Sequence, residues 1–184
     1  MVKEEYQTER LNLYSSNPDM ASEVTDYFIR NKEFLKDVEP LRPDEYYTEE
    51  YQKKLLLDEY LFVNGKAMFK FWITKKDSKK VIGVIYFNGI FFGSFKSTFM
   101  SFRLDKDEVR QGYMSEAIKK GMEIVFKDLG LHRIEANVMP KNKPALNLLE
   151  KLGYYNEGIA KQYLKIDGVW EDHIHMVYLN DENK

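Results

Sequence analysis

A chain of 184 residues, 43% hydrophobic and 32% charged, is long enough to bury one sizeable core and too apolar to stay disordered. Its net charge of −2, with no long basic stripe, argues against nucleic acid as a direct partner. The lack of cysteine excludes disulfides, thiolate metal sites and a cysteine nucleophile. The charged start Met1-Val2-Lys3-Glu4-Glu5 lacks the apolar stretch of a secretory signal. Val81–Gly93, the most apolar segment, is broken by Asn88 and falls short of the roughly 20 residues that span a bilayer. The expectation is a cytoplasmic protein without membrane contact, residues 1–184 forming one domain and 181–184 a loose tail.

Arg10–Ser15 alternates Leu11 and Leu13 with polar residues and predicts a first strand. Asn17-Pro18-Asp19 supplies a cap, a first-turn proline and an acidic first turn, and Met20, Val24, Tyr27 and Phe28 follow at helical spacing. A second helix starts near Thr48, carries Tyr51, Leu55 and Leu56, and ends at Asn64-Gly65. Three strand-like runs come next, Ala67–Thr74, Val81–Asn88 and Thr98–Leu104, the first two joined by a polar turn over Lys75–Lys80. In the third, Thr98, Met100, Phe102 and Leu104 share one face, while Phe99, Ser101 and Arg103 share the other.

After Asp105–Gly112 the spacing predicts a helix through Asp128, with Ala117, Gly121, Ile124 and Val125 as its inner stripe and Gly130 as its stop. Arg133–Val138 is another strand, and Lys143–Leu152 a short helix ended by Gly153. Two strands around Gly158–Ile166 and Trp170–Leu179 are joined by the hairpin signal Asp167-Gly168. Antiparallel runs with one embedded strand–helix–strand unit predict a mixed α/β domain.

The loop Val109–Ser115 stands between an apolar strand and an amphipathic helix. A helix start has free N–H groups and the positive end of the dipole, and Gly112 lets backbone close around an anion without a Cβ in the way. By itself this is either a phosphate cradle, with Lys119 and Lys120 adding charge, or a plain turn. Asn142, opening the later helix, reads equally as an N-cap or as a ligand contact.

Several ordered segments narrow these choices: Gly93-Ser94-Phe95, the run Gln111-Gly112-Tyr113-Met114-Ser115-Glu116-Ala117, His132-Arg133-Ile134-Glu135-Ala136-Asn137 continuing to Lys143, Leu152-Gly153-Tyr154, and Glu157 through His173. Over about Thr8 to Leu179 the sequence resembles the GCN5-related N-acetyltransferase (GNAT) superfamily, and more narrowly its RimJ/RimL-type ribosomal-protein-alanine acetyltransferases. The resemblance implies a single, mostly antiparallel sheet splayed between its fourth and fifth strands and flanked by about four helices. It implies that the amides of Val109, Arg110, Gln111, Gly112, Tyr113, Met114 and Ser115 grip the pyrophosphate of acetyl-CoA. The pantetheine arm would pair with Ser101, Phe102, Arg103 and Leu104, with Asn137 and Asn142 beside it. Two departures from the family pattern stand out, Val109 at the first loop position and Met114 at the last. A side chain at Met114 is tolerable if it points away, and Arg110 would supply the charge that Val109 lacks.

The chemistry needs a neutral amine, a polarised thioester carbonyl and a proton for the departing thiolate. An α-amino group, with a pKa of about 7.7–8.0 against about 10.4 for lysine, needs only a modest base. Many family members carry a tyrosine acid where this chain has Leu149, ahead of Glu150-Lys151-Leu152-Gly153. Tyr163 is the substitute candidate, with ordinary strand packing as its alternative. Asp172 reads as a proton relay, an amine-binding carboxylate or a hydrogen-bonded strand residue. His173 and His175 share a strand face, but two ligands without a third make a poor metal site, so no metal is expected. The acceptor expected from the resemblance is a protein α-amino group, as on a ribosomal protein. Acetylation of a small amine and a non-catalytic acetyl-CoA-binding module remain open, as does a homodimer.

Overall fold

Apolar alternation along the strands and apolar stripes along the helices produce an eight-stranded sheet with helices on both faces. The computed structural model describes residues 3–64 and 68–180; the expected tail 181–184, the helix stop at Gly65 and the strand start at Ala67 lie outside them. The elements are β1 (Glu5–Gln7), β2 (Leu11–Ser15), α1 (Ala21–Leu35), α2 (Glu49–Asn64), β3 (Met68–Lys75), β4 (Val81–Phe91) and β5 (Ser97–Leu104). After them come α3 (Tyr113–Lys127), β6 (Arg133–Val138), α4 (Lys143–Lys151), β7 (Tyr155–Ile166) and β8 (Val169–Leu179). The strands lie in the order β1-β2-β3-β4-β5-β6-β8-β7. The sequence reading misses β1, whose three residues offer one buried apolar side chain, Tyr6, and no alternation to read. It also starts β7 three residues late.

On one face α1 and α2 set Val24, Tyr27, Phe28 and Leu56 against Trp72 and Val84. On the other, α3 and α4 pack Ile118, Val125, Leu146 and Leu149 over Leu13, Phe71, Ile85 and Phe87. Each such fully buried side chain contributes about 1.5–3 kcal/mol relative to exposure. The expected inner stripe of α3 is the observed one, with Ala117, Gly121, Ile124 and Val125 all buried. Gly121 has a steric reason, since a Cβ there would stand 2.9 Å from both Ile85 and Phe87.

All neighbouring strands run antiparallel except β5 and β6. These pair in parallel only over Ser97–Phe99 with Arg133–Glu135, and then diverge. On its other edge β5 stays paired to β4 as far as Leu104. The splay is the one expected from the sequence, moved one place along the count by β1. The end of β5 is fixed by Asp105, which is buried and accepts from Arg30 Nε at 2.7 Å, while Asn31 Oδ1 accepts the Lys106 N–H at 2.9 Å.

Candidate active site

Where β5 and β6 part, the backbone of β5 beyond Phe99 has no neighbouring strand on that side among the described residues. Buried peptide groups need partners, so such an edge suits a ligand with amides of its own. The gap opens into a cavity of about 470 Å³ whose wall includes Ser101, Phe102, Arg103, Asn137, Asn142 and Tyr163. Leu104 is not part of that wall; it packs against the core.

Beyond β5 the chain turns through Val109–Gly112 into α3. Gly112 is the N-cap at φ 82°, a left-handed conformation that glycine adopts without strain, and it has no side chain with which to cap the helix. The first-turn amides are therefore left for an outside acceptor. Val109, Arg110 and Gln111 are exposed, with Arg110 itself at φ 62°. Met114 is buried in the core, so its side chain points away from the open side of the loop. The loop is held from outside. Arg10 donates to the Gln111 carbonyl at 3.0 Å and to Glu116 at 2.7 Å, and lies 4.7 Å above the Tyr113 ring. Thr8 Oγ1 also donates to Glu116. Burial works against the Glu116 charge, but these donors and the Arg10 charge keep its carboxyl below the usual range.

The second helix start differs. Asn142 Oδ1 accepts the Ala145 N–H at 3.3 Å and so caps α4, with Pro144 in the first turn. Its side chain still lines the cavity, leaving the amide NH2 for a ligand. Nearby, Asn137 Nδ2 donates to Tyr163 Oη at 3.4 Å, and Asn137 Oδ1 is buried with no hydrogen-bond partner among the described residues. An acceptor atom left over at the open edge fits an incoming amide N–H. Together with the uncapped α3 start, it fits acetyl-CoA, whose arm carries amides and whose far end carries phosphates.

Leu149, at the position of the family's usual acid, is fully buried in the core. Tyr163 reaches the cavity from a wide bulge in β7. Ala160 pairs with His173 and Leu164 with Glu171, so Lys161, Gln162 and Tyr163 stand opposite the single residue Asp172. Asp172 fastens this bulge with both oxygens, accepting from Lys161 Nζ at 2.7 Å and from the Gln162 N–H at 2.8 Å. Those two donors hold its carboxyl below the ordinary value. Asp172 does not line the cavity. The structure brings Tyr163 and Asn137 together and leaves Asp172 behind the bulge. The Tyr163 ring sits 5.7 Å from that of His173 and 5.2 Å from that of His175. Burial, and secondly the Glu135 charge, push its hydroxyl above the ordinary 10.0. His175 Nδ1 meets Glu135 Oε1 at 2.6 Å, and His173 Nδ1 meets the Glu171 carbonyl at 3.0 Å.

Residues from the α1–α2 connection also reach the site. Glu39 pairs with Arg103 and lies 3.6 Å from Arg42, and its carbonyl accepts the Asp167 N–H at 3.0 Å. Leu41 packs at Gly168. This segment and the β7–β8 turn thus meet at the rim of the cavity. Neither the Glu39–Arg103 pair nor the Arg10–Glu116 pair leaves a local signal, since each is made across a long stretch of chain.

Among known proteins, residues 10–155 match the family model described as an acetyltransferase (GNAT) domain. The chain is 35% identical over 154 residues to a probable N-acetyltransferase, YjcK, of Bacillus subtilis, covering 84% of this chain and 85% of that protein. It is 34% identical over 168 residues to the ribosomal protein uS5-alanine N-acetyltransferase of Escherichia coli, covering 91% and 86%. The crystal structure of a ribosomal-protein-S5-alanine acetyltransferase from Vibrio fischeri superposes with a TM-score of 0.92 at 31% identity, covering 98% of each chain. A splayed sheet, an uncapped helix start beside it and a match over most of the chain agree: this protein belongs to the acetyltransferase (GNAT) domain family.

Proposed function

We propose that the protein moves an acetyl group from acetyl-CoA to the α-amino group of a protein N-terminus, an alanine of a ribosomal protein being the acceptor suggested by its relatives. The observation that carries this reading is the open edge of β5 beside the uncapped start of α3, with Asn137 Oδ1 unpartnered between them. When bound, acetyl-CoA supplies an activated thioester carbonyl and a good leaving group. The chain's own part is to bind and orient. The first-turn amides of α3 hold the phosphates, the β5 edge and Asn137 pair with amides, and the loop clamp of Arg10 and Glu116 keeps the cradle in place.

Among the described residues that line the cavity there is no aspartate or glutamate, whereas Arg42, Arg103 and Lys165 all do. Positive surroundings disfavour an ammonium and favour the neutral amine. An α-amino group needs little such help, because its pKa of about 7.7–8.0 is already near neutrality. Tyr163, its pKa raised, keeps its proton at Oη through neutral pH and holds it on the cavity wall beside Asn137. Asp172 acts behind it, as the residue that fixes the bulge. The rim where Glu39 meets Asp167 suits an acceptor presented end-on, amine first.

The test is free coenzyme thiol released from acetyl-CoA with Ala- and Ser-starting peptides, the same peptides with blocked α-amines, and a set of small amines. Turnover of the free α-amine peptides alone is expected. Turnover of small amines alone would overturn the N-terminal assignment, and tight donor binding without any turnover would make the protein a binding module.

A further inference from the structure

Resting on that N-terminal reading, the geometry points to an acceptor with an acidic side chain within its first four residues, held by Arg42 and Arg103. Both arginines line the cavity on its acceptor side, where Val38 and Pro40 of the α1–α2 connection meet Leu164 of β7. Among the described residues one carboxylate, Glu39, serves the two. It pairs with Arg103 and stays 3.6 Å from Arg42, behind the lining rather than in it. Arg42 Nε is buried and has no hydrogen-bond partner among the described residues.

The guanidinium groups are also held in place. Arg42 lies 4.7 Å over the ring of Tyr46, and Arg103 lies 5.8 Å from that of Tyr86. Fixed and planar, with Arg42 Nε unpartnered among the described residues, the pair matches a carboxylate, which accepts such forked donors well. Lys165 at the same wall adds to the excess of positive charge. The arm of acetyl-CoA takes part of the same cavity of about 470 Å³, so only the first few residues of an acceptor enter it and the acid must lie close behind the amine. The same charge that keeps the amine neutral thereby selects the side chains next to it.

The experiment compares Ala-starting peptides with Glu, Gln or Lys walked through positions two to five, reading thiol release. For at least one position between two and four, KM should be about tenfold lower with Glu than with Gln, and higher still with Lys. Arg42→Gln should collapse the Glu-to-Gln ratio, and Arg42→Glu should invert the order in favour of Lys. Because the readout is a ratio within one variant, loss of folding cannot imitate it. Equal KM values for all three peptides in the unaltered protein, or a preference that survives Arg42→Gln, would overturn the inference alone. No turnover of any peptide, with thiol release from small amines, would overturn the N-terminal reading and this inference with it.

Discussion

The two walls of the cleft offer a ligand different groups. The β5 wall, continued by the start of α3, offers backbone: an unpaired strand edge, uncapped amides and a glycine at φ 82°. The opposite wall, built from β6, α4 and the β7 bulge, offers the side chains of Asn137, Asn142 and Tyr163. A backbone wall tolerates most substitutions and fails only when something is added to it. A side-chain wall fails by deletion.

Gly112→Glu is the strongest way to break the first wall. It places bulk and negative charge among the amides and forces a side chain into a left-handed backbone. Donor affinity, measured by titration calorimetry, should fall by at least about 100-fold, or ~2.7 kcal/mol. A melting curve checks that the fold survives, and unchanged affinity would remove the cradle. On the second wall, Tyr163→Phe should lower kcat by about 10- to 100-fold, toward the low end for a lost general acid, with little change in donor KM. The pH dependence sharpens this. The Tyr163 pKa lies above 10.0, so the unaltered enzyme should keep its plateau to beyond that pH and lose activity only as the hydroxyl ionises. An identical alkaline limb in Tyr163→Phe would assign the proton elsewhere.

Smaller effects separate capping from binding. Asn142→Ala removes the α4 cap and should cost about 1 kcal/mol of stability in denaturant titration. Glu116→Gln loosens the clamp on the backbone wall by about 0.5–1 kcal/mol, the pair being partly exposed. The folded pKa of Glu116 is depressed, so its contribution is present above the usual glutamate range and is lost as pH falls through the folded value. The stability gap between the unaltered protein and the Gln variant should therefore close under acid. Val109→Ala, on an exposed side chain beside the backbone cradle, should change donor affinity less than about twofold.

The same contrast explains how much is legible in advance. Periodicity exposes the α3 stripe and the longer strands, because a buried face imposes its spacing on neighbouring residues. Gly112 before an amphipathic helix, together with the ordered segments around it, is enough to mark the backbone wall. Tyr163 can be nominated, but its aim into the cavity depends on a bulge that alternation cannot show. Asp172 looks like chemistry from its type, while in the structure both its oxygens accept from the β7 bulge, a contact its type does not announce. Arg10 with Glu116, and Glu39 with Arg103, are meetings of distant segments that no local pattern records.

The bulge has one further consequence, for how such a site can change. Three residues opposite one is an excess of two, an even number, so the strand leaves the bulge with its faces unchanged and the hairpin closes normally at Ile166 and Val169. Deleting Lys161 and Gln162 would join Ala160 to Tyr163 in a plain ladder, with Tyr163 opposite Asp172. Cross-strand partners share a side, so the tyrosine would then turn away from His173 and out of the cavity. Chain length, rather than residue identity, decides here whether a hydroxyl faces the cavity.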